Sequence, residues 1–179
     1  MFMAKQKYDF IKIDKPRFHE AIQAYEAWKH LNSIIVNSYN RKVNIPETIT
    51  EALVCYALNI ELNKGTAGDA KNITTNEVIE IKATSNWNED LTSFSPNEKF
   101  DKLIFARLKA TPNEDMLYIY DVDLNSDSLK KIQVNKKQSL GDQQKQGKRP
   151  RFSVIKKIIE PNNLTQLVKV NLRTKKITK

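Results

Sequence analysis

Residues 66–83, TAGDAKNITTNEVIEIKA, carry the pattern on which the fold turns. The segment Glu77 to Ala83 (EVIEIKA) is short and rich in β-branched residues, which predicts a strand. Asn72 to Asn76 before it holds turn residues, which predicts a hairpin with residues 66–71. Side chains alternate across a strand, so Glu80 and Lys82 share a face about 7 Å apart, and the hairpin partner brings Asp69 alongside. Taken singly, Glu80 and Lys82 read as a surface ion pair and Asp69 as a turn residue after Gly68. Taken together they do not, because Val78, Ile79 and Ile81 make this the most strand-like and most buried stretch of the chain. Charge placed there costs several kcal/mol unless it is paired or bound to metal.

Outward from this hairpin the chain alternates helices and strands. After Asp14 and Pro16, apolar residues at Phe18, Ala21, Ile22, Tyr25, Trp28, Leu31 and Ile35 form the stripe of an amphipathic helix. A second helix is expected from Pro46, burying Ile49, Leu53, Tyr56 and Ile60 and leaving Glu51 off that stripe, with Gly65 and Gly68 closing the next loop. Ser95-Pro96-Asn97-Glu98 has the form of a capping box with Pro at the first helical position, predicting a short helix. Strands are expected at Leu103 to Leu108 and Leu117 to Val122, a short helix at Asn125 to Ile132, and a polar, basic loop from Asn135 to Pro150. Apolar residues return at Phe152 to Ile159 and Leu167 to Leu172, as a helix or as strands. No internal repeat is present, and the pattern predicts an α/β or α+β architecture with helices flanking a small sheet.

At 179 residues the chain is of one-domain size, and 40% hydrophobic residues with 4 Gly and 6 Pro exclude collagen-like and wholly disordered chains. No apolar run is long enough to cross a bilayer, and the start, MFMAKQKYDFIKIDK, lacks the apolar stretch of a secretory signal. The single cysteine, Cys55, forms neither an internal disulfide nor a Cys-rich zinc site, so a reducing cytoplasm is expected. The net charge of +9 is unevenly spread. Residues 1–128 hold 15 bases and 19 acids, and residues 129–179 hold 15 bases and 2 acids. A one-sided basic surface suits a phosphate backbone; a solvated basic tail is the plainer alternative.

Two carboxylates and an ammonium on one sheet edge suit Mg²⁺, which takes one or two protein carboxylates and keeps open positions for water and phosphate. Such an ion lowers the pKa of a bound water and polarises a phosphoryl oxygen, with Lys82 orienting water or phosphate, which describes phosphodiester hydrolysis. No P-loop or Rossmann glycine pattern exists, and His19 and His30 lie outside any nucleophile or zinc spacing.

Asp69 followed by Glu80-Ile81-Lys82, with Glu51 on a preceding helix, resembles the PD-(D/E)xK nuclease core of small type II restriction endonucleases. Gly68 stands where that motif has its Pro. The resemblance extends over most of residues 45–160 through Ser93-Phe94-Ser95-Pro96, Phe100-Asp101-Lys102-Leu103 and Gly147-Lys148-Arg149-Pro150-Arg151-Phe152-Ser153, and comes nearest to the short enzymes that cut GCNGC. It implies a restriction-endonuclease-like core in one nuclease domain over residues 1–179, with a basic DNA-contacting segment around 129–157. It also implies that Asp69, Glu80 and the Ile81 carbonyl hold Mg²⁺, that Lys82 assists the attacking water, and that Glu51 holds a second ion or tunes the first. The products would be 5′-phosphate and 3′-hydroxyl ends of double-stranded DNA. Cutting both strands of a palindrome implies a homodimer, and restriction implies a companion DNA methyltransferase.

Residues that read bases are sought in KKQSLGDQQKQGKRPR, residues 136–151, which mixes amides with cations. Gln138, Gln143, Gln144, Lys148, Arg149 and Arg151 are the candidates as a group, with Lys136 and Lys137 on the backbone; a solvated loop is the alternative for any one. Trp87 reads as a boundary aromatic rather than a base-stacking one. Two other functions remain open at this point: a structure-selective repair or junction nuclease, and a non-catalytic basic nucleic-acid-binding module.

Overall fold

The computed structural model describes residues 7–179. The reading of the amino terminus as free of a signal rests partly on residues 1–6, which lie outside the described residues. Strand β1 (Phe10–Lys12) leads into helix α1 (Lys15–Tyr39), followed by α2 (Glu47–Leu58) and strands β2 (Glu61–Asn63), β3 (Ala70–Lys71) and β4 (Val78–Thr84). Then come β5 (Thr92–Ser93), β6 (Lys102–Ala110), β7 (Asp115–Asp121), α3 (Ser126–Leu129), α4 (Leu140–Lys145) and β8 (Arg151–Phe152). A π-helical segment (Ile155–Ile159), β9 (Val168–Asn171) and β10 (Lys176–Thr178) complete the chain.

The main sheet has 8 strands in the order β1-β2-β3-β4-β6-β7-β9-β10, and β5 pairs with β8 in a separate ribbon. Only β4 and β6 run parallel; every other pair is antiparallel, so the sheet is mixed. Both faces of its centre are covered. Ile104, Ala106 and Leu108 of β6 pack with α1 and α2, while Leu103 and Phe105 of the same strand join Phe94, Leu140, Phe152 and Ile155 on the other side. A strand buried on both faces reads as a continuous apolar run, which is why LIFARL was legible. The β3–β4 hairpin forms as expected, with Ala70 opposite Ile79.

Several expectations are corrected. Ser95 to Glu98 makes only a turn: Glu98 Oε2 accepts from Ser95 N–H at 3.2 Å, but Phe94 and Phe100 are both buried in one core and leave no room for a helix between them. The basic segment after Asn135 is not all loop, because Ser139 and Asp142 form a reciprocal cap on α4 and Leu140 is buried beneath it. Helix α1 outruns the core, leaving Leu31 49% exposed, and Tyr56 of α2 is only partly buried. The expected helix at Asn125 to Ile132 stops at Leu129. Among the described residues no helix is long and apolar enough to cross a membrane.

Asp115, buried at the start of β7, ties α1 to β7 and to Arg173 just after β9. Its carboxylate accepts from Tyr25 Oη at 2.9 Å and pairs with Lys29 at 2.6 Å and Arg173 at 2.7 Å. Burial alone would raise its pKa, but the bonds from Arg173, Lys29 and Tyr25 outweigh it and hold the carboxyl below its usual value. A carboxylate with a depressed native pKa stabilises the fold fully above its unfolded value near ~4, and that contribution disappears as pH falls through the native value. Asp115→Ala is expected to cost roughly 2–3 kcal/mol in urea unfolding at neutral pH. The difference from the wild type should shrink as pH is lowered below ~4; a difference that persists unchanged there would contradict the assignment.

Candidate active site

The β3–β4 register places each charged group. Ile79 pairs with Ala70, so continued pairing would set Ile81 opposite Gly68, but Gly68 adopts φ +66° and turns the chain away. A Cβ at Gly68 would lie 2.6 Å from Val78 Cγ1, so a side chain fits neither the conformation nor the space. The ladder therefore ends early, and the Asp69 side chain supplies the missing acceptor: its Oδ2 takes a hydrogen bond from Ile81 N–H at 2.7 Å. Glu80, 3% exposed, is held by an ion pair with Lys82 two residues along the same face.

Glu51 on α2 faces the same place. Burial, then Asp69 and Glu47, push its carboxyl up to about 7 against the pull of Lys82. Burial and then Asp69 push Glu80 up to about 8, although Lys82 opposes this. Burial also raises Asp69, overcoming the Ile81 N–H and Lys82. Lys82 is desolvated, which disfavours its charge, yet Glu80, Glu98 and Asp69 around it raise its pKa. Burial first, and then the repulsion among neighbouring acids, drives these carboxyls toward neutrality, with Lys82 the ammonium that opposes it.

These groups lie in a cleft of about 1100 Å³ between α2, the β3–β4 hairpin, the β5–β8 ribbon and the chain that joins them. Its lining is acidic, with Glu47, Glu51, Asp69, Glu80, Glu89, Asp90 and Glu98; Lys42, Lys64, Arg149 and Arg151 also line it. Among the described residues no group of three or more His, Cys, Asp or Glu side chains is gathered as a closed metal cage. The donors present still fit a hard cation that keeps most of its waters, since Asp69, just before β3, and Glu80 of β4 offer carboxylate oxygens in one cleft.

Of the residues sought in the basic segment, Arg149 and Arg151 line the cleft. Lys136, Lys137 and Lys148 are exposed and do not line it. Gln143 Nε2 donates to Gln138 Oε1 at 3.3 Å, and Gln144 Nε2 donates to the Ser95 carbonyl at 3.0 Å, so these amides brace α4 and its surroundings. Sequence reasoning missed Glu47, Glu98, Lys42 and Lys64. In sequence Glu98 reads as a helix cap, and the others lie in segments with no pattern pointing to the hairpin. Trp87 is a boundary aromatic as expected, stacked over the Arg107 guanidinium at 4.1 Å.

The Bsp6I restriction endonuclease family model matches residues 13–161. A type II restriction enzyme named Bsp6I, from Bacillus sp. (strain RFL6), is 60% identical over 172 residues, covering 96% of this chain and 98% of that protein. No solved structure matches the chain. The matched span takes in both strands of the hairpin, Glu51 of α2 and the two cleft arginines, and on this evidence the chain belongs to the Bsp6I restriction endonuclease family.

Proposed function

We propose that this type II restriction endonuclease makes Mg²⁺-dependent double-strand cuts at a short palindromic DNA sequence of the GCNGC kind, leaving 5′-phosphate ends. One observation carries the proposal: Asp69, Glu80 and Lys82 meet at the floor of a cleft that Arg149 and Arg151 also line. Asp69 and Glu80 hold the cation. The Ile81 carbonyl joins them, because in an extended strand it points to the same side as the Ile81 N–H that Asp69 engages. Bound there, Mg²⁺ supplies an acidified water and a polarised phosphoryl oxygen.

Lys82 positions the attacking water or the scissile phosphate, and its pairing with Glu80 keeps it charged and aimed at the floor. Glu51 holds a second cation or tunes the first through the charge it shares with Asp69. Arg149 and Arg151 contact the DNA within the cleft, and Lys136, Lys137 and Lys148 offer flanking phosphate contacts. Gln138, Gln143 and Gln144 act from α4 and the turn before it, held there by the Gln143–Gln138 bond and by the bond from Gln144 to the Ser95 carbonyl. Two copies of this single nuclease domain, residues 1–179, cut the two strands in the bacterial cytoplasm, where a companion methyltransferase protects the host sites.

Digestion of plasmid DNA, with sequencing of the ends, tests the reading: discrete fragments with ligatable 5′-phosphates are expected with Mg²⁺ and none after EDTA. Asp69→Asn and Glu80→Gln should each lower cleavage by at least about a hundredfold while DNA binding is kept or improved, because each removes a negative charge facing phosphate. Cleavage that survives both substitutions would contradict the assignment.

Affinity should also fall steeply as salt rises from ~50 to ~200 mM. Replacing Arg149 and Arg151 by Ala should flatten the logarithmic salt slope by about two, more than the same change at Lys136 and Lys137. Equal slopes in all three proteins would remove the arginines from the DNA interface.

A further inference from the structure

The chain from Ser85 to Leu91 leaves β4 and rims the cleft without regular structure, yet it is tied down along its length. Thr84 Oγ1 accepts from Asn86 N–H at 3.1 Å. Arg107, buried on β6, donates to the Trp87 carbonyl and lies against the Trp87 ring. Asp90 makes the firmest anchor. Its carboxylate accepts from Thr92 Oγ1 at 2.7 Å, Ser153 Oγ at 2.6 Å, Val154 N–H at 2.8 Å and Ile155 N–H at 3.1 Å. Those two N–H groups open the π-helical segment, where no intrahelical acceptor is available, so one acid joins the loop to a segment more than sixty residues away. Directly after Leu91, Thr92 and Ser93 pair with Phe152 and Arg151.

Leu91 stands between these anchors, 67% exposed and on the cleft wall. Among the described residues it is the one strongly exposed large apolar side chain that lines the cleft; Tyr8, Leu31, Ile34, Tyr39, Ile73 and Leu167 lie elsewhere. A leucine on a mobile loop would fold back onto the protein, but here the hydrogen bonds of Asp90 and the β5–β8 pairing hold its backbone in place. Phosphate offers an apolar side chain no favourable contact. In DNA, such a side chain finds its partners on the bases, against the apolar base edges in a groove or the faces exposed at a base step. Arg149 and Arg151 in the same cleft bring the charge that the backbone needs.

We infer that Leu91 is a specificity-determining residue that packs against the bases of DNA held in the cleft, with Asp90 as its positioning residue. This rests on the proposal that the cleft is the DNA site, and it adds a base contact outside the basic segment. Leu91 reports sequence, so its loss removes discrimination and leaves phosphate contacts intact.

The test uses the full chain and fluorescence anisotropy without divalent metal, on one duplex carrying a sequence that the wild type cuts in a plasmid digest and on a scrambled duplex. Leu91→Ala is expected to lose roughly tenfold in affinity for the first duplex, with unchanged affinity for the second and an unchanged salt slope. Leu91→Met should restore most of the loss. Asp90→Ala, checked for folding by circular dichroism, should show the same loss of discrimination. An unaltered preference in Leu91→Ala, or an equal loss on both duplexes, overturns the inference. If the wild type cuts no DNA and binds none in a salt-dependent way, the cleft assignment itself fails and takes this inference with it.

Discussion

Where β3 stops and β4 continues, the N–H of Ile81 has lost its strand partner, and the Asp69 carboxylate takes that place at 2.7 Å. Everything at the floor of the cleft follows from this substitution. Gly68 ends the ladder by turning left-handed, Asp69 is drawn against β4, and the alternation of β4 sets Glu80 and Lys82 into the cleft one residue to either side of Ile81. The cost is a set of carboxyls forced together in a half-dry place, and Glu51 and Glu80 respond with raised pKa values. Apolar side chains in this place would avoid the repulsion, and the proposed cation would relieve it.

The rest of the molecule stabilises that arrangement from outside. Both faces of β6 are buried, which fixes the neighbour on which β4 lies in parallel register. Parallel neighbours need a long crossover, and here the connection between β4 and β6 is irregular chain with β5 rather than a helix. The irregular crossover lines the cleft with Ser85, Asn86, Glu89, Leu91 and Glu98. Asp90 supplies the rigidity that a helix would have given.

The hairpin, both long helices and the two central strands were legible in the sequence because each rests on a local pattern: alternation, a helical apolar stripe or a continuous apolar run. The short strands β1, β2 and β10 have three residues each and are defined by their partners, which no local window contains. The same limit explains the misread capping box. Ser95 to Glu98 has the right residues, but whether they start a helix is decided by Phe94 and Phe100, which the core claims. Strand geometry alone brings Asp69, Glu80 and Lys82 together, whereas Glu51 enters only through the resemblance. Glu98, Lys42 and Lys64 reach that place through tertiary packing, and Leu91 is conspicuous only once its exposure is known.

Family membership gives this chain its activity class, and the hairpin gathers the charged groups proposed to carry it. The account stands on a cation gripped between β3 and β4. A crystal structure with a bound cleavable duplex and Ca²⁺, which occupies oxygen sites at ~2.3–2.6 Å, measures this most directly. The account predicts an ion touching Asp69, Glu80 and the Ile81 carbonyl, with a phosphate of the duplex completing its shell. An ion bound elsewhere, with Asp69 still closed on Ile81 and Glu80 still paired only to Lys82, would contradict it.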